Sequence, residues 1–343
     1  MTPATAGPID VHTHVVPETT PFLGRLARKD ARWAVVQWRA DDASLADVLV
    51  SGKVFRTIRR VACDLAERRA EQSAAGLAGQ VLSAMPELFA SWAPGPDAVS
   101  YCRAFNEWIA VQTENHDGYF TGLGLVPVQD PAAATAMLGE VHGLGLAGVE
   151  IPSTTEQAPL HEGRFEEFWS EAERLGLLVF VHSVGAVGSF GHPMAGTSAI
   201  FPPRIGESIA GLIANGVLAR HPALRILASH GGGSLPASLA RLDFVRATLP
   251  ALRELLPEMA ATYAARLWYD QLVFDPRVLG LLAGMVGADR IVLGSDYPFL
   301  SGDPARVLDD PSLPAGFAEQ ARNTNPRRLL QELPGRHIHG GTS

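Results

Sequence analysis

Eight times along this chain a short apolar or β-branched run ends in a small or polar residue and gives way to a segment with helical spacing. That recurrence limits the fold more than any other feature. The runs occupy residues 9–14 (IDVHTH), 80–85 (QVLSAM), 120–126 (FTGLGLV), 148–152 (GVEIP), 177–182 (LLVFVH), 225–230 (RILASH), 267–271 (LWYDQ) and 290–296 (RIVLGSD). Strands alternating with helices in this way pair in parallel, and a parallel sheet has to be covered on both faces. Eight such units predict an α/β fold of the closed (β/α)8 TIM-barrel type, with an open doubly wound sheet as the alternative. No Gly-x-Gly-x-x-Gly opens a helix after the first run, which weakens the dinucleotide-binding form of the open sheet.

With 47% hydrophobic residues the chain can bury one large core, and barrels of this kind run long as single units, so residues 1–343 are expected to form one domain. Residues 17–60 are long and polar where a compact barrel has one helix, and they predict a small insertion after strand 1, a lid or subdomain. Residues 183–203 are rich in Gly, Ser and Pro directly after the fifth run and predict an active-site loop. The Gly-rich tail, 335–343, holds His337 and His339 but reads as a frayed terminus. A formal net charge of -8 without runs of like charge excludes a nucleic-acid partner. No stretch approaches the roughly 18 apolar residues of a membrane span, and the first ten residues lack the basic and apolar regions of a leader, so a cytoplasmic protein is expected. Cys63 and Cys102 stand too far apart for a Cys-x-x-Cys thiolate site.

His12 and His14 are two residues apart in a strand, so both imidazoles project to one face, and two neutral imidazoles suit a borderline metal such as zinc. His182, His230 and Asp296 close the fifth, sixth and eighth runs. All the candidate ligands therefore fall at the C-terminal ends of strands, where barrel active sites are built.

The chain resembles the metal-dependent amidohydrolase superfamily and, within it, the aminocarboxymuconate semialdehyde decarboxylase group. The resemblance is carried by DVHTH (10–14), GKVFR (52–56), VLSAMP (81–86) running on to FASW (89–92), FVH (180–182), SHGGG (229–233) and LGSDYPF (293–299). It implies that His12, His14, His182 and Asp296 bind one divalent metal ion, most simply Zn2+, with His230 beside the metal-bound water as acid/base. It implies further that Arg56 and Arg241 hold a small-molecule carboxylate substrate, Arg241 reaching across a homodimer interface into the neighbouring site. Binuclear members of the superfamily need a carbamylated lysine on the fourth strand. Lysine occurs here only at Lys29 and Lys53, and GVEIP offers Glu150 instead, so one metal ion is expected, with Glu150 as a bridging carboxylate the alternative. The activity implied is a metal-dependent, oxygen-independent decarboxylation of an unsaturated or aromatic carboxylic acid, with hydrolysis or hydration of a lactone, amide or unsaturated carboxylate on the same barrel as the alternative. After His182 this chain reads Ser-Val-Gly where the characterised decarboxylases read Pro-Trp, which predicts a pocket of different shape.

Overall fold

The computed structural model describes residues 7–18, 21–184, 193–300 and 302–334. Strand β1 (Ile9–Val15) is followed by the insertion, a helix (Pro21–Lys29) and three strands, β2 (Val35–Trp38), β3 (Leu45–Val50) and β4 (Lys53–Arg59). The chain then returns through β5 (Gly79–Ala84), β6 (Phe120–Leu125), β7 (Gly148–Pro152), β8 (Leu178–His182), β9 (Arg225–Ala228), β10 (Trp268–Asp270) and β11 (Ile291–Val292). Strands β1 and β5 to β11 form one sheet in which each pairs in parallel with the next. The last strand comes back to the first: Val11 N–H donates to Leu293 O at 2.9 Å and His14 N–H to Tyr297 O at 2.8 Å. This is the barrel the eight runs predict, with helices between its strands.

The pleat sorts the core into two layers. Val149, Ile151, Val179, Val181 and Ile226 point outward and join the helices in the larger apolar cluster. Val81, Leu123, Leu178, Phe180, Leu227 and Trp268 alternate with them and fill the interior, together with Leu329 and Leu330 of the helix Asn325–Gln331. Two outer helices begin at an Asp-Pro pair. Asp130 accepts the Ala133 N–H and Asp275 the Arg277 N–H, while the proline occupies the first turn where no N–H is needed.

The insertion folds as an antiparallel sheet in the order β2-β3-β4. Ser51 and Gly52 join β3 to β4, and both have positive φ (53° and 70°), the backbone of a type I′ two-residue hairpin. Ala46, Val48 and Ile58 are buried, and in register Ala46 faces Ile58 while Val48 faces Arg56, so Arg56 lies on the inward side of this sheet.

Within the expected loop, 183–203, residues 193–203 depart from it. From Pro193 onward they belong to a helix, Pro193–Ala214, despite Pro202 and Pro203 within it. Ile205, Ile209, Leu212 and Ile213 are fully buried at helical spacing, and that face carries the helix. Residues 185–192 and the His337/His339 tail lie outside the described residues. Among the described residues no helix is long and apolar enough to cross a membrane.

Candidate active site

β1 delivers His12 and His14 by way of a local irregularity. Asp10 pairs with Gln80 and Thr13 with Leu82, so three residues of β1 span what two span on β5. The extra residue reverses the alternation: Ile9 and Val11 fill the barrel interior, yet His12 and His14 also turn inward. His182 ends β8. Asp296 and His230 lie past the ends of β11 and β9, not within strands as their runs suggested, and both have left-handed backbone, with φ of 58° and 51°. The strands are shorter than the apolar runs because the chain turns there to aim these side chains at the barrel axis. Asp296 is tied back by its N–H to His12 O at 2.9 Å.

One ligand atom from each of His12, His14, His182 and Asp296 lies within 4.8 Å of the others. His12 Nε2 is 3.1 Å from His14 Nε2, and His14 Nε2 is 3.1 Å from an Asp296 carboxylate oxygen. Each histidine is held from behind through Nδ1: His12 against the Asp270 carboxylate at 2.6 Å, His14 against Ala84 O at 2.9 Å, His182 against Ser183 O at 2.7 Å. Those partners accept, so the protons sit on Nδ1 and three Nε2 lone pairs meet a carboxylate with no donor among them. Buried His182 Nε2 has no hydrogen-bond partner at all. Four such acceptors around a tetrahedral ion would stand about 3.4 Å apart, close to the spacings seen. The donor set therefore fits a divalent cation.

The electrostatics agree at two of the three rings. Burial lowers the His14 pKa to about 4 and that of His182 well below its ordinary value, the neighbouring histidines adding to the effect at His182, so both are neutral imidazoles. At His12 burial would lower the pKa, but the hydrogen bond and charge of Asp270 outweigh it and raise it. Burial alone would raise Asp296, but His14, His12 and His230 outweigh it and hold the carboxyl at about 2. Glu150, the fourth-strand carboxyl, stands 3.7 Å from His14 Nδ1, behind that ring and away from the metal-facing Nε2. Burial pushes its pKa well above the carboxylate range, with Asp296 and Glu87 adding to the rise, so it is placed as a neutral neighbour rather than a bridge.

His230 sits beside this group, its ring centroid 5.0 Å from that of His182 and 5.3 Å from that of His12. Its Nε2 is buried without a partner, and burial lowers its pKa. His230 and Asp296 open onto a cavity of about 370 Å³ whose walls are mainly apolar and aromatic, among them Phe201, Leu272 and Phe299. Arg56 lines the same cavity, its guanidinium 4.5 Å over the Phe299 ring. Phe299 in turn stacks on His14, centroids 5.8 Å apart at 24°. Arg241 does not line this cavity. It is exposed on the helix Leu235–Thr248, not far along it from Phe244, which is 70% exposed.

Asp270 is the site residue that reading the sequence missed. It ends β10, is fully buried, and touches His12, the His230 backbone and Gly231. Burial would raise its pKa, yet the hydrogen bond and charge of His12 outweigh this and hold it down. The signal was available: it occupies the same strand-end position, in the seventh run, as the residues singled out in four others.

Comparison with known proteins agrees with this geometry. The 2-amino-3-carboxymuconate-6-semialdehyde decarboxylase of Dictyostelium discoideum is 30% identical over 310 residues, covering 88% of this chain and 85% of its own. The solved structure of 5-carboxyvanillate decarboxylase from Sphingomonas paucimobilis superposes with a TM-score of 0.76 at 20% identity, covering 95% of this chain and 99% of that one. Dihydroxybenzoic acid decarboxylase from Polaromonas sp. JS666, solved with bound manganese and the inhibitor 2-nitroresorcinol, gives 0.72 at 20% identity over 94% and 96% of the two chains. The family profile described as amidohydrolase matches residues 9–331, and the chain belongs to that family.

Proposed function

We propose that this protein is a metal-dependent carboxy-lyase that removes CO2 from an aromatic or unsaturated carboxylic acid. The observation that carries the reading is the junction of two environments: three imidazole lone pairs and the Asp296 carboxylate converge at one end of a mainly apolar cavity, and the Arg56 guanidinium lies on its aromatic wall. Decarboxylase relatives and neighbours support it.

His12, His14, His182 and Asp296 would hold the ion. A divalent cation bound there supplies Lewis acidity toward a substrate oxygen. Arg56 binds and orients a substrate carboxylate by charge-assisted hydrogen bonds, and the Phe299 and Phe201 faces hold the planar carbon framework. The apolar walls exclude water, which strengthens each polar contact inside. When the bond to the carboxylate carbon breaks, CO2 leaves and the electron pair stays on the substrate carbon, which must take a proton. His230, buried beside His182 and charged with a proton taken up from water, would deliver it through Nε2.

Zinc is the ion we propose, because three imidazoles and one carboxylate suit it; the Polaromonas neighbour carries manganese. We also propose a homodimer in which Arg241, exposed and outside its own chain's cavity, reaches the neighbouring site. The direct test is product analysis with candidate aromatic and ring-cleaved carboxylates. Release of one CO2 per substrate consumed is expected, and addition of water without loss of carbon would establish the hydrolase or hydratase reading instead.

A further inference from the structure

We propose that Asp270 is a positioning residue that fixes the tautomer of His12 and the backbone of His230 together, so that a metal ligand and the proton-carrying histidine form one rigid unit. Its carboxylate is fully buried and fully used. Oδ2 accepts the His230 N–H at 2.8 Å and lies 2.6 Å from His12 Nδ1, while Oδ1 accepts the Gly231 N–H at 2.9 Å and the Leu272 N–H at 3.0 Å. A group accepting three backbone protons on two oxygens is a carboxylate with nothing to donate. His12 must therefore carry its proton on Nδ1, which leaves the Nε2 lone pair facing His14 and Asp296.

The same carboxylate shapes the turn that carries His230. His230 and Gly231 both have positive φ (51° and 62°), and their successive N–H groups converge on one carboxylate, as in an anion-binding nest. Left-handed backbone is uncommon for histidine, and here the two hydrogen bonds hold it. Release of the carboxylate would free the turn and move the imidazole from its place beside His182.

A merely structural role, capping a buried turn, predicts something different. The side chain introduced by Asp270→Asn would be nearly the same shape, and its carbonyl oxygen in the place of Oδ1 could still accept the Gly231 and Leu272 N–H, but its amide nitrogen would then face His12 Nδ1 and the His230 N–H. That nitrogen donates, so it would force the proton of His12 onto Nε2 and close that position to a metal ion. The inference leans on the metal-dependent reading for what Nε2 faces, and the test separates the two.

The experiment uses full-length protein labelled with 15N-histidine, stripped of metal and titrated with Zn2+ against a chromophoric chelator. Wild type should show His12 as the Nδ1–H tautomer, and the Nε2–H form there would overturn the proposal whatever any variant does. In Asp270→Asn the tautomer should switch and Zn2+ affinity should fall by about 10- to 100-fold. Asn325→Leu, which removes a buried pair of hydrogen bonds to Ala288 O and Ile291 O at the start of β11, the opposite end of that strand from Asp296, serves as the structural control. It should lower the melting temperature and leave Zn2+ affinity unchanged. If Asp270→Asn behaves like this control, with affinity and tautomer intact, the proposal is wrong. Failure of wild type to bind Zn2+ would instead overturn the metal-dependent reading, with the His12 tautomer still deciding the role of Asp270. Coupling to His230 is read at saturating metal: Asp270→Asn should cost less turnover in a His230→Ala background than in wild type, and equal costs would remove that half of the proposal.

Discussion

The two ends of the cavity are built by different rules. At the metal end His12, His14 and His182 are at most 1% exposed, each ring is fixed from behind by an acceptor, and Asp296, the fourth member of the group, and His230 beside it hold left-handed backbone. Arg56, over the Phe299 ring that also stacks on His14, is carried by a three-stranded sheet flanked by an exposed ion pair of Arg39 with Asp41 at 2.7 Å and a hydrogen bond from Thr57 to Asp47 at 2.6 Å. Surface ion pairs of that kind contribute little and are screened by salt. The metal end is therefore over-determined and the substrate-facing insertion is not. On the proposed reading, chemistry common to many acids would belong to the first and the choice among acids to the second.

The sharpest way to break this contrast is at a ligand. His182→Ala removes one of four converging atoms, and the variant should retain almost no metal and no measurable turnover while keeping its far-ultraviolet circular dichroism. Elemental analysis should find about one ion per chain in wild type. Two ions per chain at full activity would bring Glu150 back as a bridge.

His230→Ala comes next. A lost proton carrier typically costs 10²- to 10⁴-fold in rate. Metal content should survive, because His230 stands outside the ligand group. Loss of the metal as complete as in His182→Ala would make it a ligand.

The substrate end should respond less. Arg56→Ala removes a charge-assisted contact of about 1.5–3 kcal/mol, which lowers kcat/KM by roughly 10- to 150-fold with metal content unchanged. Arg241→Ala should do the same only if the neighbouring subunit's site uses it. In a heterodimer of the two variants one site lacks both arginines and the other has both. Random assembly should therefore restore up to about a quarter of wild-type activity. No recovery, with heterodimers present, would confine Arg241 to a structural role.

The same contrast explains what could be read from the chain alone. The converging group of four was legible because period-2 spacing and strand-end placement are local properties, visible at His12, His14, His182 and Asp296 without any knowledge of packing. Asp270 shares that strand-end placement, but nothing local says what it touches. Its role arises from a contact with His12, 258 positions away in the chain. Residues 17–60 were legible as more than a single helix but not as a sheet. Its strands are short, β4 is mostly exposed, and the alternation of Ala46 and Val48 is clear only once Ile58 lies opposite. Residues 193–203 looked like loop because they continue a stretch, 183–203, that is rich in Gly, Ser and Pro, whereas the apolar face that makes them helical begins at Ile205.

One substitution made at both ends gives the smallest and most discriminating comparison. Gly231 and Gly52 both have left-handed backbone, with φ of 62° and 70°, and alanine in that conformation costs about 1–2 kcal/mol. At Gly231 a Cβ would also stand 2.3 Å from Val273 Cγ1, on the residue that follows His230 and donates to Asp270. Overpacking adds about 1–3 kcal/mol, and the shift should pass to His230 and lower kcat. At Gly52 a Cβ would meet nothing within 4 Å. Gly52→Ala should therefore show the backbone cost alone, a drop of about 2 °C in melting temperature. Metal affinity and kcat should be unchanged, with at most a few-fold rise in KM as the β3–β4 hairpin that carries Arg56 loosens. A fall in kcat or metal affinity for Gly52→Ala matching that of Gly231→Ala would mean that the insertion and the metal end move as one body, and the division of labour between them would have to be given up.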